Sequence, residues 1–158
     1  MKKVILAELA LVVLLVGVMF FLLYQKEPRA DVTAQEVHTM FTQVKKDAPV
    51  VEAGNLKIRR IFGLNAADYD LIVYYSPIDS MDVCEFLLIR TDEAALPAVK
   101  EAMEERLHTQ LEAFTGYGDK QTETLNKAMI CEYGNYICLI VSEEPENWLS
   151  ALEDLLGV

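Results

Sequence analysis

The chain has 158 residues, 53% of them hydrophobic, and a formal net charge of −11. Beyond residue 29 it holds 10 bases against 23 acids, a net charge of −13. That balance argues against nucleic acid or an anionic lipid surface as partner, since both demand a basic patch; the apolar content argues against disorder.

Val4 to Tyr24 is nearly unbroken in apolar residues. Its length matches the ~20 residues that span the hydrocarbon of a bilayer. The run ends in Met19, Phe20, Phe21, Leu22, Leu23 and Tyr24, which are bulky, whereas a cleaved signal peptide ends in small residues. The expectation is therefore an uncleaved signal anchor. No cysteine precedes Cys84, so no thiol near the segment is available for a lipid. Lys2 and Lys3 against Lys26 and Arg29 give a slight bias that puts the N-terminus in the cytoplasm and the domain outside. The organisation expected is residues 1–3 cytoplasmic, 4–24 transmembrane, 25–32 a polar stalk and 33–158 a globular domain. Glu8 lies about a turn from Lys3, where it can snorkel; a contact with another span is the functional alternative.

Thr33 and Glu36 form a T-x-x-E capping box, and Val37, Met40, Phe41 and Val44 give one apolar stripe of a helix. Pro49 and Gly54 stop it. Leu56 to Leu64 reads as a short helix running into a turn over Asn65 to Asp68. Asp70 to Ser76 and Asp82 to Thr91 read as strands of a hairpin joined by a longer loop. The longest helix lies within Asp92 to Phe114, its regular part starting near Ala94 to Leu96 because Pro97 fits only a first turn. Lys100 and Glu104 are spaced to pair on it. Gly116 and Gly118 end it, and Asp119 to Asn126 forms a short second helix. Ala128 to Tyr133 and Tyr136 to Ser142 flank Gly134-Asn135, a type II′ hairpin signal. Glu144 to Leu156 closes the chain as a helix, with Gly157 as its stop. Two hairpins imply an antiparallel sheet. The fold class expected is α+β, two layers, with the helices packed on one face of the sheet.

Three groups of residues resemble a bacterial family catalogued as domain of unknown function 4358. They are Phe62-Gly63-Leu64 before an acidic turn and strand; Glu105-Arg106-Leu107 with Gln110, Phe114 and Tyr117 following; and Gly134-Asn135-Tyr136 leading into an apolar strand. The likeness covers most of residues 35–155. Similar members often carry a proline after the tyrosine, where this chain has Gly118. The resemblance implies an anchored or lipid-linked envelope protein and carries over no catalytic role.

The residues offer little chemistry. His38 and His108 each stand alone on a helix, without zinc spacing. There is no G-x-S-x-G elbow and no glycine-rich phosphate loop. Asp68, Asp70, Asp79, Asp82 and Glu85 flank one hairpin but lack the order of a calcium loop, and read as solvated turns. No cofactor or metal is expected. Counting outward from Gly134-Asn135 puts Cys131 opposite Cys138, close enough for a disulfide in an oxidising exterior; two small buried thiols are the alternative. Cys84 reads as buried strand packing. Arg106 lies beside the apolar stripe of the long helix, where it pins a carboxylate or meets a ligand or partner together with Gln110 and Tyr117. The reading is a non-enzymatic, membrane-anchored binding module that takes another envelope protein or a small ligand through the sheet or the long helix. Its rivals are an envelope enzyme built from scattered carboxylates and Arg106, and an assembly subunit packed through Glu8.

Overall fold

The computed structural model describes residues 12–17, 19 and 27–158. Glu8 and most of Val4 to Tyr24 lie outside these. Among the described residues no helix is long and apolar enough to cross a membrane.

The domain opens on α1 (Ala34–Val44), whose start is the expected capping box. The Glu36 N–H donates to Thr33 Oγ1 at 3.3 Å, and the Thr33 N–H donates back to Glu36 Oε2 at 2.9 Å. A short strand β1 (Val50–Glu52) follows, then α2 (Asn55–Phe62) and a 3-10 turn over Ala66–Asp68. Strands β2 (Leu71–Pro77) and β3 (Glu85–Arg90) form the first hairpin. The long helix α3 (Leu96–Phe114) carries Pro97 in its first turn, where no intrahelical N–H is needed. Next come α4 (Asp119–Asn126), the second hairpin β4 (Met129–Tyr133) and β5 (Tyr136–Val141), and α5 (Pro145–Leu156). Gly134 sits at φ +55 at the first turn position, which is what a II′ turn asks of glycine.

The sheet order is β1-β2-β3-β5-β4, antiparallel throughout. The α+β class and the antiparallel sheet are as expected. The helices are not confined to one face, however. On one side α1 and α5 bring Val37, Phe41, Trp148 and Leu152 onto Val73, Tyr75, Phe86 and Cys138. On the other, α2, α3 and α4 bring Phe62, Val99, Met103, Phe114 and Leu125 onto Tyr74, Leu87, Ile89 and Leu139. The domain is thus three layers, and the cause is visible in β5: all six of its residues are buried, because alternate side chains enter two different cores.

Two local expectations also change. Lys100 pairs with Glu132 on β4 at 2.9 Å rather than with Glu104, which ties the long helix to an edge strand. Residues 28–32, expected as stalk, pack against the domain. The Arg29 N–H donates to the Leu156 carbonyl at 2.9 Å, Tyr136 Oη–H to the Arg29 carbonyl at 2.6 Å, and Arg90 Nη1 to the Ala30 and Val32 carbonyls at 2.6 and 3.1 Å. Val32 is part of the core.

Candidate functional site

A carboxylate stands where the sequence pattern makes it least at home. Glu85 opens β3 and is 0% exposed, with Phe86, Leu87, Leu88 and Ile89 following it into the core. It belongs to the acidic set read above as solvated turns, and its burial corrects that reading. A buried carboxylate needs partners for its lone pairs. Tyr74 Oη–H donates to Oε2 at 2.8 Å across the β2–β3 ladder. Arg106, from the middle of α3, approaches side-on: Nε donates to Oε1 at 3.1 Å and Nη2 to Oε2 at 3.4 Å. The Gln110 amide, one helical turn on, donates to Oε1 at 3.0 Å and accepts from Arg106 Nη2 at 2.7 Å in the orientation that satisfies both groups. Burial pushes the Glu85 carboxyl up, while the guanidinium and the Tyr74 hydroxyl pull it back down.

The expected pairing of Arg106 with a carboxylate is therefore present, and Gln110 joins it. Tyr117 does not. It is 68% exposed and lies over Phe114, ring centroids 5.8 Å apart. Glu85 and Tyr74 were missed as site residues. The available signal was an acid set directly against a four-residue apolar run.

Arg106 also borders a recess of about 450 Å³ between α2, α3 and the loop after β2. Lys57, Ile61, Pro77, Ile78, Gln110 and Phe114 contribute to its walls. The side-on contact with Glu85 uses Nε and Nη2; Nη1 points away from the carboxylate and has no protein partner among the described residues. The recess sits at the end of the sheet where β2 finishes and β3 starts. The docked residues 28–32 sit at the other end, with Arg90 and Tyr136. A run of seven residues separates the two ends, ~20 Å of strand.

A larger recess, of about 630 Å³, lies at the same sheet end on the opposite face. Lys45, Lys46, Cys84, Ser142, Glu143 and Trp148 are among its lining residues. Burial pushes the Cys84 thiol up, and Glu143 and Asp82 add to this, so the thiol stays protonated rather than nucleophilic. Among the described residues no three His, Cys, Asp or Glu side chains converge in a metal-binding group.

Cys131 and Cys138 are register partners, as the count from the turn predicts, and both are free thiols. The Cys138 thiol donates toward Cys131 and lowers its pKa to about 7, whereas Cys138 itself is held up by that contact and by burial.

Two of the three residue groups singled out in the sequence meet at this site. Phe62 packs edge-on to Tyr74 at 5.2 Å, Tyr74 holds Glu85, and Glu85 is held by Arg106 and Gln110. The family profile described as Domain of unknown function (DUF4358) matches residues 43–142, well over half of the chain. The chain belongs to the DUF4358 family. The matched span runs from the end of α1 to the end of β5, and so takes in the whole DUF4358 sheet and the Glu85–Arg106 cluster. No curated protein and no solved structure matches the chain.

Proposed function

We propose that this chain is a membrane-tethered, non-enzymatic binding module of the cell envelope. The carrying observation is the state of Arg106. Its guanidinium is locked on one edge by a carboxylate that solvent does not reach, and Arg106 lines an open recess. Recognition asks for such a preorganised charge, because the side-chain entropy is lost on folding rather than on binding. Catalysis asks for a group that can attack or exchange a proton. Glu85 is fully buried, does not line the recess and has donors already on both oxygens. Tethering rests on the apolar run Val4 to Tyr24, and the outward orientation on the flanking bases.

The test is a photo-crosslinking amino acid placed at Ile78, on the rim, in intact cells. Glu101, exposed on α3 away from the recess lining, serves as control. The expected result is a membrane-fraction adduct from Ile78 that is absent from Glu101 and disappears when Ala113→Trp, on the α3 wall of the recess, fills it. Equal labelling from both positions, or an adduct indifferent to Ala113→Trp, removes the recess as a binding site and the reading with it.

A further inference from the structure

Cys131 and Cys138 are register partners on neighbouring antiparallel strands, so their side chains leave the sheet on the same face. Both meet the layer of α1 and α5: Cys138 lies inside that core and Cys131 packs against it. Tyr133 and Tyr136 flank the two-residue turn, and counting outward makes Cys131 and Cys138 a hydrogen-bonded pair, with Cα atoms ~5.5 Å apart. A disulfide accepts that separation without movement of the backbone. Access to the two sulfurs is unequal. β4 ends the sheet order with no strand beyond it, and Cys131 is half-buried there. Cys138 is on β5, between β3 and β4, and is 0% exposed. Cys84 lies before β3, outside the register of the sheet, with no cysteine opposite it. The thiol contact divides the pair further. Donation from Cys138 favours the Cys131 thiolate against burial and the Glu153 charge, whereas Cys138 itself is kept protonated.

We propose that Cys131 and Cys138 form a reversible redox couple that reacts with small aliphatic disulfides, Cys131 as the attacking thiol and Cys138 as the resolving one. First the Cys131 thiolate attacks one sulfur of R–S–S–R. A bond from Cys131 Sγ to that sulfur forms, the R–S–S–R bond breaks, and RS⁻ leaves. Then Cys138 gives up its proton to that thiolate, and its sulfur attacks Cys131 Sγ. The Cys131–Cys138 bond forms, and the second RS⁻ leaves and takes up the proton that Cys131 had lost to water. The two thiols are oxidised by two electrons, and the small disulfide is reduced to two molecules of RSH. The order follows from access, since a sulfur that solvent does not reach cannot meet R–S–S–R first. A small disulfide is favoured over a protein one because Tyr133 flanks Cys131 on the same face, its hydroxyl donating to Glu153 of α5 at 2.6 Å. A slender chain reaches the sulfur where a folded surface meets Tyr133 and α5 first. Neither cysteine lines the Arg106 recess, so the couple stands whether or not that recess takes a partner.

The experiment uses the full chain in detergent micelles, reduced and freed of reductant. It is mixed at about pH 7.5 with 2-hydroxyethyl disulfide, a neutral probe, and quenched with acid over a time course. Intact mass and peptide mapping read the products. In the unaltered chain the hydroxyethylthio group is expected first on Cys131, followed by its loss as the Cys131–Cys138 bridge closes; dithiothreitol restores both thiols. Cys138→Ala holds the adduct on Cys131, because no resolving thiol remains. Cys131→Ala slows modification of the chain at least about tenfold, since the thiols left are protonated. Near-UV circular dichroism checks that each variant is folded, and the order of species in the unaltered chain needs no variant. A first adduct on Cys84 or Cys138 overturns the proposal, as does a Cys131 adduct that persists in the unaltered chain or a reaction seen only in urea.

Discussion

Glu85 is fixed by three side chains from two elements, and the consequence of removing one is unequal. Arg106→Met leaves a buried carboxylate facing Tyr74 and Gln110 alone; the expected loss is about 3–5 kcal/mol, the cost of an orphaned buried charge, read by urea denaturation. Pairing it with Glu85→Leu should recover most of that loss, because neither charge is then stranded. In the middle of the edge strand β4, Cys131 carries the lowered thiol. Its alkylation by iodoacetamide should rise with a midpoint at about pH 7, well ahead of Cys84, which burial pushes above its ordinary 9.0. The sign for stability follows. Between about pH 7 and the ordinary 9.0 the depressed Cys131 thiol favours the native state, a contribution that disappears as pH falls through about 7 and is opposed above 9.0 by the raised Cys138. Diamide should close Cys131 and Cys138 into a bridge, each thiol giving up one hydrogen to the azo group, with a mass loss of about 2 Da; an unchanged mass would remove the disulfide. The register of this pair was readable from Gly134-Asn135 alone, because a two-residue turn leaves one way to count. The partner of Arg106 was not, since Glu85 is 21 residues away and the two meet only through tertiary packing.

Among the elements, those with local punctuation were legible. The capping box at Thr33 set the start of α1, and Thr33→Ala should cost about 1 kcal/mol in thermal or urea unfolding at neutral pH. That penalty should shrink in acid. Thr33 and Arg29 hold the Glu36 carboxyl below its ordinary 4.5, so its contribution is full above that value and is lost as pH falls through the lower folded one. β1 was not legible. Three residues between Pro49 and Gly54 show no period, and what makes them a strand is the pairing of Val50 with Pro77 and Glu52 with Tyr75. The end of α3 shows the same dependence on neighbours. The Gly118 N–H donates to the Phe114 carbonyl at 2.9 Å, and a side chain there would press on the Phe114 ring at 2.8 Å. The proline found there in similar members would forgo that bond, and it requires this turn to be built differently.

At the scale of the molecule, the class and antiparallel pairing followed from two hairpins, but the third layer did not. The runs Phe86 to Ile89 and Tyr136 to Val141 were the available signs, since an unbroken apolar strand has no solvent face to offer. Phe41 shows how the α1–α5 layer is joined to the sheet, meeting Tyr75, Phe86 and Trp148 with ring centroids 4.4 to 4.8 Å apart. Phe41→Ala should destabilise the domain by about 3–5 kcal/mol. The tethered arrangement is tested by proteolysis of intact, wall-stripped cells carrying a C-terminal tag. Loss of the tag with a cytoplasmic control intact is expected; survival of the tag, when detergent exposes it to cleavage, would reverse the orientation and move the partner search to the cytoplasm.

The docking of residues 28–32 fixes how far a tethered domain can stray. From Tyr24 to the docked Pro28 the chain spans at most about 14 Å. That leash is shorter than the ~20 Å of strand between the attachment and the Arg106 recess. On the proposed tether, so short a leash forbids full inversion of the domain, with the Arg106 end on the bilayer and the attachment above it. An upright domain would turn the Arg106 recess away from the lipid headgroups. A partner resident in the same membrane would then have to reach past the domain, whereas one approaching from the far side would meet the recess first.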